Sequence, residues 1–122
     1  MKKILIIEDD WMMIWILQNH FAEREVELLI ASDAAEGLQK AQDEAPDLII
    51  LDVRIAGQSG IDILKKIKSS PETASIPVVI LSAVDQEDVI AEARALGAAD
   101  YIVKGSLPLE ETLKRIKKHI NT

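Results

Sequence analysis

The chain has 122 residues, 48% of them hydrophobic and 29% charged, which predicts one globular domain over residues 1–122 with no output domain. Its 21 acidic and 14 basic side chains give a formal net charge of −7, which argues against direct nucleic-acid binding. There is no cysteine, which excludes disulfides and thiol chemistry, and no apolar run has the length of a signal peptide or a membrane span, so we expect a cytoplasmic location.

Five short apolar runs alternate with five amphipathic stretches along the chain. The apolar runs are Ile4–Ile7, Val26–Ile30, Leu48–Leu51, Val78–Leu81 and Tyr101–Val103. The amphipathic stretches lie at about 10–22, 34–44, 60–69, 86–96 and 108–120. Near-continuous apolar runs are typical of strands buried on both faces of a parallel sheet. The alternation therefore predicts an α/β fold with helices on both faces of a five-stranded parallel sheet.

Helix boundaries are marked by polar residues and glycine. Asp33, Ser59 and Asp85 each precede a helical stretch and are followed three residues later by an acidic residue, a spacing that predicts a helix N-terminal cap. Gly97 is expected to end the fourth helix in a left-handed conformation. Gly37 lies inside the second helix, where close packing against the sheet would explain it.

Polar side chains gather at the residues that close the predicted strands. In open α/β sheets, ligands bind outside the carboxyl ends of the strands. The residues at these ends are Glu8, Asp9, Asp10, Asp52, Ser82, Ala83 and Lys104. Taken singly, each of them is a turn, cap or surface residue by default. Their joint placement at four strand ends instead predicts a common site.

The chemistry of that site follows from the residue types. Clustered carboxylates repel one another unless a cation joins them, and donors that are all oxygen favour a hard ion, Mg²⁺ or Mn²⁺. Asp52 is then a candidate nucleophile that would form an aspartyl-phosphate. Lys104, the Ser82 hydroxyl and the Ala83 amide are expected to bind the phosphoryl oxygens that the metal leaves free.

Four ordered segments of the chain resemble the signatures of response-regulator receiver domains, including the stand-alone chemotaxis regulators of two-component signalling. These segments are Ile4–Asp10, Pro46–Asp52, Pro77–Ala83 and Gly97–Lys104. The resemblance covers the whole chain. It implies a flavodoxin-like (βα)5 three-layer sandwich whose strand order is 2-1-3-4-5.

The resemblance also implies a role for each matching residue. Asp52 matches the phosphorylated aspartate, Lys104 the invariant lysine, and Gly60 the glycine of the loop after the phosphosite. The implied metal ligands are Glu8, Asp9, Asp52 and the backbone carbonyl of Arg54. The implied switch residues are Ser82 and Tyr101.

The function that the resemblance implies is a two-state switch. A histidine kinase or phosphotransfer protein supplies the phosphoryl group to Asp52, and Ser82 then moves and vacates space into which Tyr101 turns. The surface of the fourth helix, fifth strand and fifth helix changes in consequence and signals to a downstream protein or to a second copy of the chain. The protein is not expected to be an enzyme, apart from its own Mg²⁺-dependent phosphorylation and dephosphorylation.

Three positions depart from the family pattern. Gly105 and Ala56 stand where receivers commonly carry proline, so we predict a trans Lys104–Gly105 peptide bond with a looser loop, and a mobile phosphosite loop. Arg54 is long and cationic beside the phosphosite. It is expected to pair with Glu8 or the phosphoryl group, or to shield that group from water, and so to alter the dephosphorylation rate.

The first helix carries an apolar face in addition to the one that packs on the sheet. Trp11, Ile14 and Trp15 are expected to point toward the rim or solvent and to form a docking or self-association patch. The alternative is that both tryptophans pack under neighbouring loops. His20 and His119 have no acid or thiol partner at ligand spacing and are interpreted as surface residues.

Two rival interpretations use the same fold. A pseudo-receiver would bind partners without being phosphorylated; the intact acidic and basic residues argue against it, whereas Gly105 and Ala56 keep it open. A flavin protein would need a hydroxyl- and glycine-rich loop after the first strand, where three acidic residues stand. A phosphohydrolase would need a second acid two residues beyond Asp52, where Arg54 stands.

Overall fold

The computed structural model describes residues 1–21 and 26–120 and contains a five-stranded parallel sheet. Its strands are β1 (Lys2–Ile7), β2 (Val26–Ala31), β3 (Leu48–Leu51), β4 (Val78–Ser82) and β5 (Asp100–Val103). Every neighbouring pair is parallel, and the order across the sheet is β2-β1-β3-β4-β5. The predicted flavodoxin-like fold is confirmed.

Five helices connect and cover these strands. They are α1 (Trp11–Phe21), α2 (Ala34–Glu44), α3 (Gly60–Ser69), α4 (Glu87–Ala95) and α5 (Leu109–Ile120). Their bounds differ from the predicted ranges by one residue at most at each end. Among the described residues, no helix combines the length and hydropathy that crossing a membrane requires.

The core divides into two layers because successive side chains of a strand point to opposite faces of the sheet. In β1, Leu5 and Ile7 pack in the layer covered by α2, α3 and α4, whereas Ile4 and Ile6 pack in the layer covered by α1 and α5. All four side chains are fully buried. The three-layer sandwich follows directly from apolar residues on both faces of each strand.

Three of the four predicted helix boundaries agree with the structure. Asp33 accepts a hydrogen bond from the Glu36 amide at 2.8 Å, and Ser59 accepts one from the Ile61 amide at 3.2 Å. The predicted cap at Asp85 is wrong, because α4 begins after Gln86, whose side chain makes no capping bond. Gly97 has φ of 103°, as expected for a left-handed residue after a helix.

Gly37 is explained by the contact between α2 and β1. A Cβ atom at this position would lie 2.8 Å from Cδ1 and 3.0 Å from Cγ2 of Ile7. Such distances are inside van der Waals contact, so a larger residue here would force either the Ile7 side chain or the helix to shift. Glycine therefore allows close approach of α2 to β1, the strand that directly precedes the acidic site residues.

A short hairpin follows β3 and was not predicted. Arg54–Ile55 pairs in antiparallel fashion with Gln58–Ser59. The two residues between them, Ala56 and Gly57, have φ of 48° and 76°. Two positive φ values are typical of the type I′ turn that joins two-residue hairpins. The sequence predicted only a mobile loop here, because two-residue strands are too short to leave a periodic pattern.

Both histidines are partly exposed, and each makes contacts that the sequence did not indicate. His119 lies with its Nε2 atom 3.1 Å from Oδ2 of Asp100, and Arg115 forms an ion pair with the same carboxylate. His20 is half-buried, and its ring packs edge to face against Phe21 with 4.9 Å between the ring centroids. The acid partner of His119 lies 19 residues away in sequence, at the start of β5, which no local spacing indicates.

We expect Ala45→Gly to stabilise the protein by about 0.5–1 kcal/mol, because Ala45 ends α2 in the left-handed conformation, with φ of 46° and ψ of 59°. Its side chain is exposed, so no packing is lost. Urea unfolding measures the difference. Ala91→Gly, the same change at an exposed site inside α4, should instead lose about 1 kcal/mol. Equal losses for both variants would contradict this account of Ala45.

Candidate functional site

The parallel register brings four strand ends to one edge of the sheet. Ile7 of β1 pairs with Leu51 of β3, and Ser82 of β4 pairs with Val103 of β5. The residues that follow the strands therefore lie side by side. They are the acidic run that starts at Glu8, then Asp52, and finally Lys104, whose amide donates to the Ser82 carbonyl at 2.8 Å.

Lys104 is the cation that holds the acidic residues together. Its Nζ atom lies 2.6 Å from Oε1 of Glu8, 3.2 Å from Oδ2 of Asp52 and 3.3 Å from Oδ2 of Asp10. Burial would lower the pKa of Lys104. The hydrogen bond and negative charge of Glu8, supported by Asp52, raise the pKa above its ordinary value instead. The side chain is therefore an ammonium ion at neutral pH.

Glu8 and Asp52 respond to this environment in opposite ways. Burial raises the pKa of Glu8 to about 7, and its hydrogen bond with Asp52 acts in the same direction. Burial would also raise the pKa of Asp52. Hydrogen bonds from Glu8 and Ser82, together with the ammonium of Lys104, outweigh that effect and hold this pKa below its usual range. Asp52 is therefore the carboxylate that stays ionised, as a nucleophile must.

The acidic residues also form a set that fits a metal ion. Glu8, Asp9 and Asp52 each place one carboxylate oxygen within 4.8 Å of the others. Glu8 and Asp52 are buried, whereas Asp9 is exposed. Oxygen donors of this kind suit Mg²⁺ and Mn²⁺. A second cation beside Lys104 would also relieve the repulsion among these carboxylates.

A cavity opens over Asp52 on the side of β4. Its volume is about 240 Å³, and it is lined by Asp52, Arg54, Ser82, Ala83, Val84, Asp85 and Gln86. Ser82 is buried and Ala83 is exposed, so Ser82 lines the inner part of the cavity and Ala83 lines its outer part. The cavity therefore places two of the three predicted phosphoryl-binding residues, Ser82 and Ala83, beside the predicted acceptor, whereas Lys104 contacts Asp52 from outside the cavity lining.

The two predicted switch residues meet at Val84. The Val84 amide donates to Oγ of Ser82 at 3.2 Å, and the Tyr101 hydroxyl donates to the Val84 carbonyl at 2.7 Å. Tyr101 is only 4% exposed, so its ring lies inside the fold. Sequence reasoning missed Val84 because it takes part through its backbone, which a residue's identity does not reveal.

Asp10 has two roles that the sequence did not assign. Its Oδ1 atom accepts hydrogen bonds from the amides of Met12 at 3.1 Å and Met13 at 3.4 Å, which caps α1. Its Oδ2 atom contacts the Lys104 ammonium. Asp10 therefore joins the start of α1 to the site, and its place directly before a helical stretch was a signal for the cap.

The backbone around Asp52 leaves no room for a side chain at Gly60. Its amide donates to the Val53 carbonyl at 2.5 Å. A Cβ atom on this residue would lie 2.0 Å from the Asp52 carbonyl oxygen and 2.8 Å from Cα of Val53. Any other residue would have to move the backbone of Asp52, the predicted acceptor.

Gly105 and Arg54, which depart from the family pattern, both lie close to the acidic residues in sequence or in space. The Lys104–Gly105 peptide bond is trans, as predicted, and Gly105 has φ of 81° with open space around it. Arg54 is exposed and forms no ion pair with the described residues, so the expected pairing with Glu8 is absent. Lys104 occupies that position on Glu8. A role of Arg54 in dephosphorylation stays a prediction.

The N-terminal half of α1 exposes a large apolar surface. Trp11 is 72% exposed, Trp15 57% and Met12 49%, while Ile14 is half-buried. The tryptophans therefore do not pack under neighbouring loops. The opposite face of the helix is buried through Leu17 and Phe21 in the core layer shared with α5. Met12 was missed as part of the exposed face.

Comparisons with known proteins agree with this geometry. The family model described as "Response regulator receiver domain" matches residues 4–117. Sporulation initiation phosphotransferase F of Bacillus subtilis (strain 168) is 32% identical over 119 residues, which are 98% of this chain and 94% of that protein. The alkaline phosphatase synthesis transcriptional regulatory protein PhoP of the same strain is 35% identical over 89% of this chain and 45% of its own length.

Solved structures show the same fold. The phosphorylated cyanobacterial phytochrome response regulator RcpA is 31% identical, with a TM-score of 0.82 over 96% of this chain and 89% of that one. The Mn²⁺-bound form of response regulator Rcp1 is 28% identical, with a TM-score of 0.80 over 97% and 91%. The chain spans about half the length of two of the first three curated relatives. It belongs to the response regulator receiver domains, a family of phospho-accepting signalling domains.

Proposed function

We propose that Asp52 is the residue that accepts the phosphoryl group, from a histidine kinase or a phosphotransfer protein, and that the modified domain then signals to a downstream protein. The observation that carries this proposal is the position of the Asp52 carboxylate. It lies between the Lys104 ammonium and the acidic residues on one side and an open cavity on the other.

The chemistry of transfer needs little beyond alignment and charge neutralisation. A carboxylate oxygen of Asp52 attacks the phosphorus, the bond between phosphorus and the donor's imidazole nitrogen breaks, and its electron pair returns to the imidazole. Lys104, Ser82 and the Ala83 amide bind the equatorial oxygens. Attack by water on the acyl phosphate later restores the carboxylate and releases inorganic phosphate. Acceptance and hydrolysis at Asp52 are the only reactions that we assign to the chain.

A divalent cation completes the proposed site. Glu8, Asp9, Asp52 and the backbone carbonyl of Arg54 would hold Mg²⁺, which neutralises charge on the transferring phosphoryl group when it is bound. The three carboxylates support this assignment, because each offers an oxygen to a common point. The related response regulator Rcp1 has a solved structure in its Mn²⁺-bound form, which supports a site for either ion.

Phosphorylation is proposed to act through Val84. Ser82 would leave the Val84 amide to bind the phosphoryl group, and the backbone that accepts the Tyr101 hydrogen bond would move with it. Tyr101 then changes position, and with it the surface formed by α4, β5 and α5. This is a local charge change that biases a packed element with two arrangements.

The test is mass spectrometry after incubation with acetyl phosphate and Mg²⁺. Wild-type protein should gain one phosphoryl mass, and the gain should disappear in Asp52→Asn and after addition of EDTA, because acceptor and cation are both needed. Asp88→Asn, the same change at an exposed residue of α4, should be phosphorylated like wild type. No gain in wild type that still binds Mg²⁺ would favour the pseudo-receiver interpretation.

The exposed face of α1 is proposed to contact the phosphodonor. We expect the double variant Trp11→Ala, Trp15→Ala to receive phosphate from a phosphorylated phosphotransfer protein at least about tenfold more slowly, because exposed tryptophans are frequent interface anchors. Phosphorylation by acetyl phosphate should be unchanged, since a small donor needs no docking surface. Unchanged rates with both donors would count against docking, and sedimentation would then decide whether this face joins two copies.

A further inference from the structure

The hairpin after β3 touches both a proposed metal ligand and the proposed acceptor through its backbone. The Ala56 amide donates to Oδ2 of Asp9 at 2.8 Å. Two residues earlier, the Arg54 amide donates to Oδ1 of Asp52 at 3.3 Å. The hairpin therefore contributes hydrogen bonds to carboxylates from two different strand ends.

The turn that contains the Ala56 amide has an unfavourable backbone conformation. Ala56 has φ of 48°, a left-handed value that costs a non-glycine residue free energy, and Gly57 follows with φ of 76°. A residue keeps such a backbone only where the surrounding structure holds it, and such positions are frequent at functional sites. The hydrogen bond to Asp9 is a contact that this turn makes possible.

The rest of the hairpin is anchored to the fold on its other side. Oε1 of Gln58 accepts a hydrogen bond from the Ala34 amide at 3.1 Å, at the start of α2. Ser59 caps α3 through the Ile61 amide. The turn is thus attached to two helices, so its amide is a fixed donor rather than the tip of a free loop.

A fixed donor matters most for Asp9, because this side chain is exposed whereas its neighbour Glu8 is buried. An exposed carboxylate rotates freely unless something holds it. With Oδ2 bound to the Ala56 amide, the Asp9 carboxylate is held in one orientation beside Glu8 and Asp52, the other two members of the metal-compatible set. Groups that hold a metal ligand in this way commonly raise metal affinity by about 10–100-fold.

We propose that the Ala56 backbone amide is a positioning group that orients Asp9 for the divalent cation. The inference rests on the proposed function, since it takes Asp9 as a metal ligand. It assigns the role to the N–H group and not to the methyl side chain. Glycine at this position would keep the donor, whereas any chain unit without an N–H group would lose it.

The first measurement follows the hydrogen bond itself by NMR. In the wild-type protein without metal, the Ala56 amide proton should resonate downfield and exchange slowly with solvent. In Asp9→Ala, which lacks the acceptor, it should move upfield and exchange faster, while the Gly57 amide serves as the internal reference. An Ala56 amide that is unaffected by Asp9→Ala would overturn the proposal.

The second measurement is Mn²⁺ affinity, followed by the electron paramagnetic resonance signal of the free ion. Ala56→Gly should bind within about twofold of wild type. Replacement of Ala56 by lactic acid, which exchanges only the N–H for an ester oxygen and keeps the methyl group, should bind about tenfold more weakly. Ala56→Pro also removes the donor, but proline cannot adopt the left-handed turn, so the ester is the decisive variant.

The outcomes separate the inference from the function on which it rests. Equal Mn²⁺ affinity of the wild type and a folded ester variant would overturn the positioning role alone. Failure of the wild type to bind Mn²⁺ at all would overturn the proposed metal site, and the inference with it. Weaker binding by the ester and not by Ala56→Gly would establish the role of the amide.

Discussion

Gly60→Ala is expected to destabilise the protein by about 3 kcal/mol and to abolish phosphoryl uptake at Asp52. The new Cβ atom would lie 2.0 Å from the Asp52 carbonyl oxygen, so the backbone of β3 or the start of α3 has to move. Overpacking of this kind costs about 1–3 kcal/mol, and here no flexible side chain can yield. The loss of phosphoryl uptake is expected because the displaced atom belongs to Asp52, the proposed acceptor.

Urea unfolding and acetyl phosphate labelling measure the two effects. Gly105→Ala is the matched control, because its Cβ would meet no atom within 4 Å and only its φ of 81° opposes the change. It should lose about 1 kcal/mol. Stability and labelling of Gly60→Ala that equal those of the control would show that the backbone accommodates the methyl group.

Glu8→Gln is expected to stabilise the metal-free protein at pH 8 and to leave its stability at pH 5 nearly unchanged. Glu8 is buried among carboxylates that share one ammonium ion, and its pKa is raised to about 7, with burial as the main cause. Above that pH the folded protein must hold an extra buried negative charge. Glutamine removes this charge and keeps the shape of the side chain.

The direction of the pH dependence follows from proton binding. An unfolded chain ionises Glu8 near its ordinary pKa of 4.5, whereas the folded protein keeps the proton to about pH 7. Between these values the folded state binds more protons, so the free energy of unfolding falls as the pH rises. We expect the contribution of Glu8 to lower the free energy of unfolding by about 2 kcal/mol between pH 4.5 and pH 7, after allowance for the coupling of Glu8 to Lys104 and Asp52.

The comparison is made by urea unfolding in EDTA from pH 5 to 8. Glu27→Gln, at an exposed position of β2, should follow the wild-type profile. Added Mg²⁺ should stabilise wild type above pH 7 and stabilise Glu8→Gln far less, since a ligand that binds the folded state more tightly raises the free energy of unfolding more at the same concentration. Parallel pH profiles for wild type and Glu8→Gln would contradict the assignment of the raised pKa.

The fold could be predicted because each strand of the sheet is built around a run of mostly apolar residues. Runs such as Leu48–Leu51 are buried on both faces, so their composition differs sharply from the amphipathic helices on either side. The hairpin that begins at Arg54 could not be predicted, since its strands have two residues each. The pairing of His119 with Asp100 could not be predicted for a related reason, because the two residues belong to different elements.

The sequence allowed the residues of the candidate site to be predicted, but not the contacts among their side chains. Parallel strands end at one edge, so polar residues directly after apolar runs must converge there, and Glu8, Asp52 and Lys104 do. Two features of the site depend on side-chain positions that only the assembled sheet defines. Lys104 also contacts Asp10, and Lys104 rather than Arg54 forms the ion pair with Glu8.

The amino-acid sequence by itself determined the order of the elements, the two apolar faces of the sheet and the polar residues at the carboxyl ends of its strands. These features depend only on local composition and on the two-residue repeat of a strand. The tertiary structure decided which contacts those residues make. The Ala56 amide and Asp9 are 47 residues apart, and a Cβ atom at Gly60 would meet the carbonyl of Asp52, which directly follows β3. Such contacts depend on how closely elements approach each other, which close packing of the whole domain sets and no local pattern records.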